Sequence, residues 1–240
     1  RYQNNMHMKT LLPLATLLLF HIALFGQKEW TGANGSNWND GLNWNPAGIP
    51  GPGEDVTFPF GPTNQLMLEA NISNVGVLKV NSGAVIDLNG KTISGEEFLV
   101  RGGGTVETTS RATVSFLILR LNGGTFNGPM TFQKAGNPPG NNSFSQGGNT
   151  FNGNMIVESV GLSVLRFANA NGDIFNGPVT FRRVAIPIFG IIGGPMEIAF
   201  NGTTQFNGNV TVEDNSTETA GIRIGGSIPS FTGGAVIATG

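Results

Sequence analysis

From Val75 onward, apolar and polar residues alternate in short runs, and each run is broken by Gly, Asn or Ser before the next begins. A period of two marks a β-strand with one buried face, and the Gly- and Asn-rich breaks mark turns. The early runs are Val75–Val80, Ala84–Leu88, Lys91–Ile93, Phe98–Val100, Gly104–Glu107 and Val114–Leu119.

The later runs repeat. Phe126-Asn127-Gly128, Phe151-Asn152-Gly153, Phe175-Asn176-Gly177 and Phe206-Asn207-Gly208 recur at near-equal intervals, the last of them longer, and Phe231-Thr232-Gly233 follows as a weaker fifth copy. Each F-N-G leads into an alternating strand, at 129–132, 154–158, 178–181 and 209–213. A second strand follows about ten residues on, as at 163–167 and 221–224, and its counterpart at 196–200 is displaced by an insertion around Val184 to Ile192. Units of about 25 residues with three short strands and Gly/Asn corners predict an all-β fold, a β-solenoid (parallel β-helix). Each strand then pairs with its equivalent one coil away, about 4.8 Å along the axis.

This architecture is expected to begin near residue 55. The Phe residues stack on one another inside it or at a corner. Asn-Gly suits a corner because both residues tolerate positive φ, and because stacked Asn side chains exchange amide hydrogen bonds. The copies alternate in type: Pro129 and Pro178 open two of them, while Asn154 with Glu158 and Asn209 with Glu213 belong to the others. A two-coil super-repeat follows, with Glu158 and Glu213 on one face, roughly 10 Å apart. That spacing is loosely that of an inverting glycosidase pair. Equivalent strand positions, with no acid or base of another type expected nearby, read instead as a solvated face.

All three tryptophans precede the repeats, in Trp30-Thr31-Gly32 to Asn37-Trp38-Asn39-Asp40-Gly41-Leu42-Asn43-Trp44, followed by Pro46, Pro50, Pro52, Glu54, Asp55 and Val56. Large rings held by Asn- and Gly-rich turns would close the open end of an apolar core, which a stack of coils requires against edge-to-edge association. Trp30, Trp38 and Trp44 are equally the residues of a sugar-binding platform, through stacking on pyranose faces. The sequence leaves both readings open.

Composition narrows the chemistry. Of the 240 residues, 12% are charged, about half the usual share. With 37 Gly and 13 Pro, turns are frequent and long helices are not expected. A net charge of -2 offers nothing to a phosphate backbone or an anionic membrane, so no nucleic-acid partner is expected. There is no cysteine, and His7, His21 and Tyr2, the only residues of their types, all lie at or before position 21. Thiol catalysis, imidazole triads and His- or Cys-ligated metals are therefore excluded beyond that region.

Met8-Lys9-Thr10, the apolar stretch Leu11 to Phe25 and the exit Gly26-Gln27-Lys28 have the order of a secretory signal peptide. A membrane span is the competing reading, but about 15 residues fall short of the roughly 20 that cross a bilayer. The expected organisation is upstream residues plus leader at 1–27, a Trp-rich cap at 28–58, and solenoid repeats at 59–240, with F-N-G coils from 126. Because Ser230 to Ala238 opens another repeat, the native chain is expected to be longer.

The run W-T-G-x-x-G-S-N-W-x-x-x-x-N-W-x-x-x-x-x-P-x-x-x-E-D-V resembles the N-terminal module of large secreted bacterial β-solenoid proteins. The F-N-G-[PN]-[VM]-[TI]-[FV] copies resemble the repeats of adhesin-like or hyalin-repeat-like surface proteins exported by the type IX route. Together the two regions span most of residues 28–240. The resemblance implies a secreted or cell-surface protein that meets glycans or other surface components.

Other motifs fail. Asn89-Gly90-Lys91-Thr92 holds the G-K-T of a P-loop, but Val85 stands where the upstream glycine belongs, so it reads as a turn. Gly102-Gly103-Gly104 and Gly147-Gly148 lack the aspartate of a calcium-binding repeat. Asp173 or Glu213-Asp214 would make only a weak calcium site. Asn34, Asn71, Asn141, Asn201, Asn209 and Asn215 match N-x-[ST] by chance in so Asn-rich a chain. No catalytic residue, cofactor or metal site is expected. The leading expectation is a structural or adhesive rod. The alternatives are a carbohydrate-active β-helix enzyme (a polysaccharide lyase or hydrolase), a glycan-binding module, and an ice-binding face. Only local threonines (Thr105, Thr108, Thr109, Thr113) and single ones at Thr131, Thr180 and Thr211, interrupted by Ile156, support the last.

Overall fold

The computed structural model describes residues 26–135, 142–160, 163–184, 195–214, 221–225, 230–231 and 236–239. The expected leader up to Phe25, the 184–192 insertion apart from Val184, and Asn141 and Asn215 lie outside the described residues. Within them the regular elements are β-strands apart from one 3-10 turn, Gly41–Asn43. The chain winds into a parallel β-solenoid of about 7 turns.

Three sheets form its sides. In spatial order the longest takes Trp44–Asn45, Lys28–Trp30, Val56–Phe58, Ile72–Val80, Thr92–Val100, Ala112–Leu121, Met130–Lys134, Met155–Ser159, Val179–Arg183, Val210–Asp214 and Val236–Thr239. The second takes Leu66–Met67, Val85–Asp87, Thr105–Glu107, Thr125–Asn127, Thr150–Phe151, Ile174–Phe175, Gln205–Phe206 and Ser230–Phe231. The third, Ser143–Phe144, Leu165–Arg166, Met196–Ile198 and Ile222–Ile224, is confined to the later coils.

Coil length changes midway. Val56 pairs with Leu78, Leu78 with Phe98 and Phe98 with Leu119, a short and nearly constant advance. Met130, Met155, Val179 and Val210 then pair in succession, and each advance is longer than any of the early ones, most of all the step to Val210. The cause lies in the strands. Ile72–Val80, Thr92–Val100 and Ala112–Leu121 run nine or ten residues and serve two sides of the coil. From Met130 the chain leaves the sheet after five residues and starts a separate strand at Ser143. Lys91–Ile93 and Phe98–Val100, expected as separate strands, are accordingly joined in one, which starts at Thr92 and ends at Val100. Where the split occurs, Ser143 Oγ accepts from the Leu119 N–H at 2.9 Å and Ser145 Oγ from the Leu121 N–H at 3.1 Å. Both serines are fully buried, so their hydroxyls replace the carbonyls that a continuous strand would have offered.

Alternation places the side chains. In Met130–Lys134, Met155–Ser159 and Val179–Arg183 the first, third and fifth residues point inward. On the second sheet Phe126, Phe151, Phe175 and Phe206 stack face to face in the core, with centroids 4.9, 4.4 and 5.3 Å apart and planes within 13°. Phe132 and Phe181 meet this stack edge-on. Outside, each Asn of the motif donates its amide to the one before it: Asn152 to Asn127 at 2.8 Å, Asn176 to Asn152 at 2.7 Å and Asn207 to Asn176 at 2.8 Å. The glycines have a different reason from the one expected. Of the four Asn-Gly pairs only Gly128 takes a positive φ, of 91°. The others are required by close approach: a Cβ on Gly153 would lie 1.9 Å from the Gly128 carbonyl oxygen, and one on Gly177 2.3 Å from that of Gly153.

At the N-terminal end Lys28–Trp30 adds to Val56–Phe58 in parallel, and Trp44–Asn45 turns back antiparallel on its outer edge. The tryptophans turn inward, at 0% (Trp30), 3% (Trp38) and 2% (Trp44) exposure. Their rings meet edge to face, Trp30 with Trp44 at 5.1 Å and Trp38 with Trp44 at 4.8 Å, and all three rest against Phe58. Two of the indole N–H groups that burial takes from water find carbonyl partners: Trp30 donates to Asn64 and Trp44 to Trp38, both at 2.8 Å. Buried Asn43 holds the loop between them, accepting from the Asn34 N–H and donating to the Asn37 carbonyl.

Phe175→Ala removes the middle of the aromatic stack and is expected to cost about 3–5 kcal/mol in denaturant unfolding. Gly153→Ala, which forces a methyl into a neighbouring backbone, is expected to lower the same midpoint. Gly102→Ala, where the nearest atom to a new Cβ is 3.9 Å away, should leave it close to unchanged.

Candidate functional site

The outer face of the long sheet brings the two singled-out glutamates onto one line. Gln133, Glu158, Arg182 and Glu213 are register partners in successive coils. A hydrogen-bonded chain runs along them: Ser115 Oγ to Gln133 Oε1 at 2.7 Å, Gln133 Nε2 to Glu158 Oε2 at 3.1 Å, Arg182 Nη1 to Glu158 Oε1 at 2.8 Å, and Arg182 Nε to Glu213. Glu158 and Glu213 thus sit two coils apart, as expected, but Arg182 fills the space between them. The expectation that no acid or base of another type lies nearby is corrected. Arg182 stands at the same offset from Phe175 as Glu158 from Phe151 and Glu213 from Phe206, so the repeat itself carried the signal. The Glu213 hydrogen bond raises the Arg182 pKa above its ordinary value and keeps the guanidinium charged. Both carboxylates are engaged with it, and the water that an inverting pair must admit between them would have to displace the guanidinium.

Beside this line runs an outward column of Thr92, Thr113, Thr131, Ile156, Thr180 and Thr211. It is one threonine wide, because the next outward column is the Ser, Gln, Glu and Arg line just described. On the second sheet the outward Asn127, Asn152, Asn176 and Asn207 occupy one another, and Phe126, Phe151, Phe175 and Phe206 lie buried inside. Gly128, Gly153, Gly177 and Gly208 form the corner. The structure brings Trp30, Trp38 and Trp44 together as a cluster whose faces are covered by one another and by Phe58. Asn89 and Gly90, the residues of the failed P-loop, form a turn with φ of 46° and 71°.

A polar column inside the solenoid was missed. Two residues before the Phe stack, Asn149, Asp173 and Thr204 point inward, each fully buried. Each offers its side-chain oxygen to the backbone of the preceding coil: Asn149 Oδ1 accepts from the Gly124 N–H at 2.9 Å, Asp173 Oδ1 from the Asn149 N–H at 2.9 Å, and Thr204 Oγ1 from the Asp173 N–H at 3.3 Å. Asn149 also donates its amide to Asp173 Oδ1 at 2.8 Å and to the Leu121 carbonyl at 2.9 Å. Asp173 Oδ2 makes no hydrogen bond among the described residues. Burial pushes the Asp173 carboxyl up to about 7, against the hydrogen bonds from Asn149 that favour the charged form. At a neighbouring corner, burial lowers Lys134 to about 8 while its Nζ donates to the Leu117 carbonyl at 2.8 Å. Buried Arg183 donates to the Asp214 carboxylate. No group of three or more His, Cys, Asp or Glu placed to hold a metal occurs among the described residues.

The fold and these ladders define a β-solenoid protein, closed at its N-terminal end by a tryptophan cluster. No protein-family model, curated protein or solved structure matches the chain. Among the described residues no helix is long and apolar enough to cross a membrane.

Asp173 makes stability depend on pH. Its folded pKa of about 7 lies above the ordinary 3.8, so its contribution is complete below about pH 4 and is lost as pH rises through 7. Asp173→Asn is expected to abolish that part of the decline, gaining roughly 2–4 kcal/mol on the wild type between pH 4 and pH 8. Thermal melts of both proteins across that range check it, and parallel curves would contradict it.

Proposed function

We propose that this chain is a secreted or cell-surface β-solenoid whose role is structural or adhesive, non-catalytic in this segment: a stiff rod that presents its outer faces to glycans or other surface components. The observation that carries the reading is that the polar side chains of the outer faces bond to one another from coil to coil. The Asn127–Asn207 chain and the Ser115–Glu213 chain lie outside the same coils that the phenylalanine stack joins inside. Such ladders resist shear between coils and engage the very groups that catalysis would need to keep available. Export is supported by the Met8 to Gln27 segment, whose order of charge, apolar core and small exit residue is that of a leader. The resemblance to adhesin-like, type IX-exported repeat proteins points the same way.

A carbohydrate-active enzyme is the second reading, favoured by one feature: two glutamates and an arginine converging on one sheet face. The two part in a single experiment, in which the purified chain is screened on a glycan array and incubated with polygalacturonate, alginate and xylan while new chain ends are assayed. Retention of glycans without chain cleavage is the expected result. Cleavage that Glu158→Gln abolishes would replace the adhesive reading with the enzymatic one.

A further inference from the structure

The third sheet carries an outward line of another kind. Arg166 pairs with Glu197 at 2.6 Å, and its guanidinium lies over Phe200 at 3.6 Å and over Phe144 at 4.7 Å from the ring centroids. One side of Phe144 is thereby taken, yet the residue remains 37% exposed. On the side facing the preceding coil is a hollow of about 260 Å³ lined by Arg120, Asn122, Asn142, Phe144 and Gln146. Arg166 does not line it.

The polar groups of this hollow differ from those elsewhere on the rod. The Asn oxygens are occupied: Asn122 Oδ1 accepts from the Gln146 N–H at 2.9 Å and Asn142 Oδ1 from the Val164 N–H at 3.0 Å. Those bonds fix both amide groups in orientation. Their Nδ2 groups, and the Gln146 side-chain amide, donate to nothing among the described residues, in contrast to Asn152, Asn176 and Asn207, each of which donates to the Asn one coil before it. Arg120, which lines the hollow, is tethered through Nε to Glu97 at 3.4 Å and is about half exposed, and its terminal nitrogens make no hydrogen bond among the described residues. No carboxylate lines the space among the described residues.

We propose that this hollow is a binding subsite for an acidic sugar residue, one pyranose ring bearing a carboxylate or sulfate. The ring's apolar face would rest on Phe144, its hydroxyl oxygens would accept from Asn122, Asn142 and Gln146, and its anionic group would meet Arg120. An aromatic platform with several oriented donors and a cation calls for a ligand that is flat on one side, rich in acceptors and negative. The volume lies just under the ~300 Å³ at which pockets for drug-sized ligands begin, which suits a single ring of a longer chain. The inference rests on the adhesive reading and deepens it by naming the ligand class and the place.

The test is calorimetric titration of the full chain with tetragalacturonate and, separately, with the uncharged galactotetraose. Saturable binding of the acidic probe is expected, with weaker binding of the neutral one. Phe144→Ala is expected to weaken both by about tenfold or more, and Arg120→Gln to remove the preference for the acidic probe. Gln146→Ala, which removes a side-chain amide that bonds to nothing among the described residues, provides the same readout if the Phe144 variant does not fold. Failure of the wild type to bind the acidic probe overturns the subsite. Undiminished binding in the folded variants also overturns it, and in both cases the adhesive reading stands on whatever the glycan array retains.

Discussion

Each coil of this protein is held one strand spacing from the next by parallel backbone hydrogen bonds, and nearly everything else follows from that spacing. A rise of about 4.8 Å is too short for unlike side chains to ignore one another along the axis. Whatever stands at one position must tolerate its counterparts above and below. Phenylalanine meets the condition by stacking flat, asparagine by passing a hydrogen bond from amide to amide, and glycine by letting one backbone rest on another. Charged residues meet it by alternation, as Glu158, Arg182 and Glu213 do.

The same spacing explains the polar atoms inside. Where the chain abandons the sheet ladder to turn a corner, backbone N–H groups of one coil lose their carbonyl partners and would be buried at a cost of a few kcal/mol each. Ser143, Ser145, Asn149, Asp173 and Thr204 supply oxygens in place of those carbonyls. Asp173 accepts two donors at a single oxygen and leaves the other without a partner among the described residues, and burial there makes stability respond to pH. The N-terminal end solves a related problem with a different device, an antiparallel strand on the open edge and three indoles beneath it.

Much of this was legible in the residues. The alternation placed most strands, the F-N-G interval marked the coil, and the Asn ladder and Phe stack lie where the repeat put them. One column was read only at its two glutamates and another went unread, although the repeat carried both: position seven after each Phe reads Gln, Glu, Arg, Glu, and position two before reads Gly, Asn, Asp, Thr. Their residue types change from copy to copy, because partners along the axis are complementary there and not identical. A search for sameness passes over them. The shorter early coils were also missed, since a strand that bends around a corner looks in sequence like two strands.

The sequence alone determined the fold class, the repeat and the scarcity of reactive side chains, because the strand alternation and the F-N-G interval are both written in consecutive residues. Only the tertiary structure decided which way the tryptophans face, that the early coils run as long strands serving two sides, and that Arg120 and Phe144 enclose a hollow. Those outcomes depend on neighbours a whole coil away along the chain and a single strand spacing away in space. The lengths of the intervening corners set that registration, and it leaves no local trace in the chain.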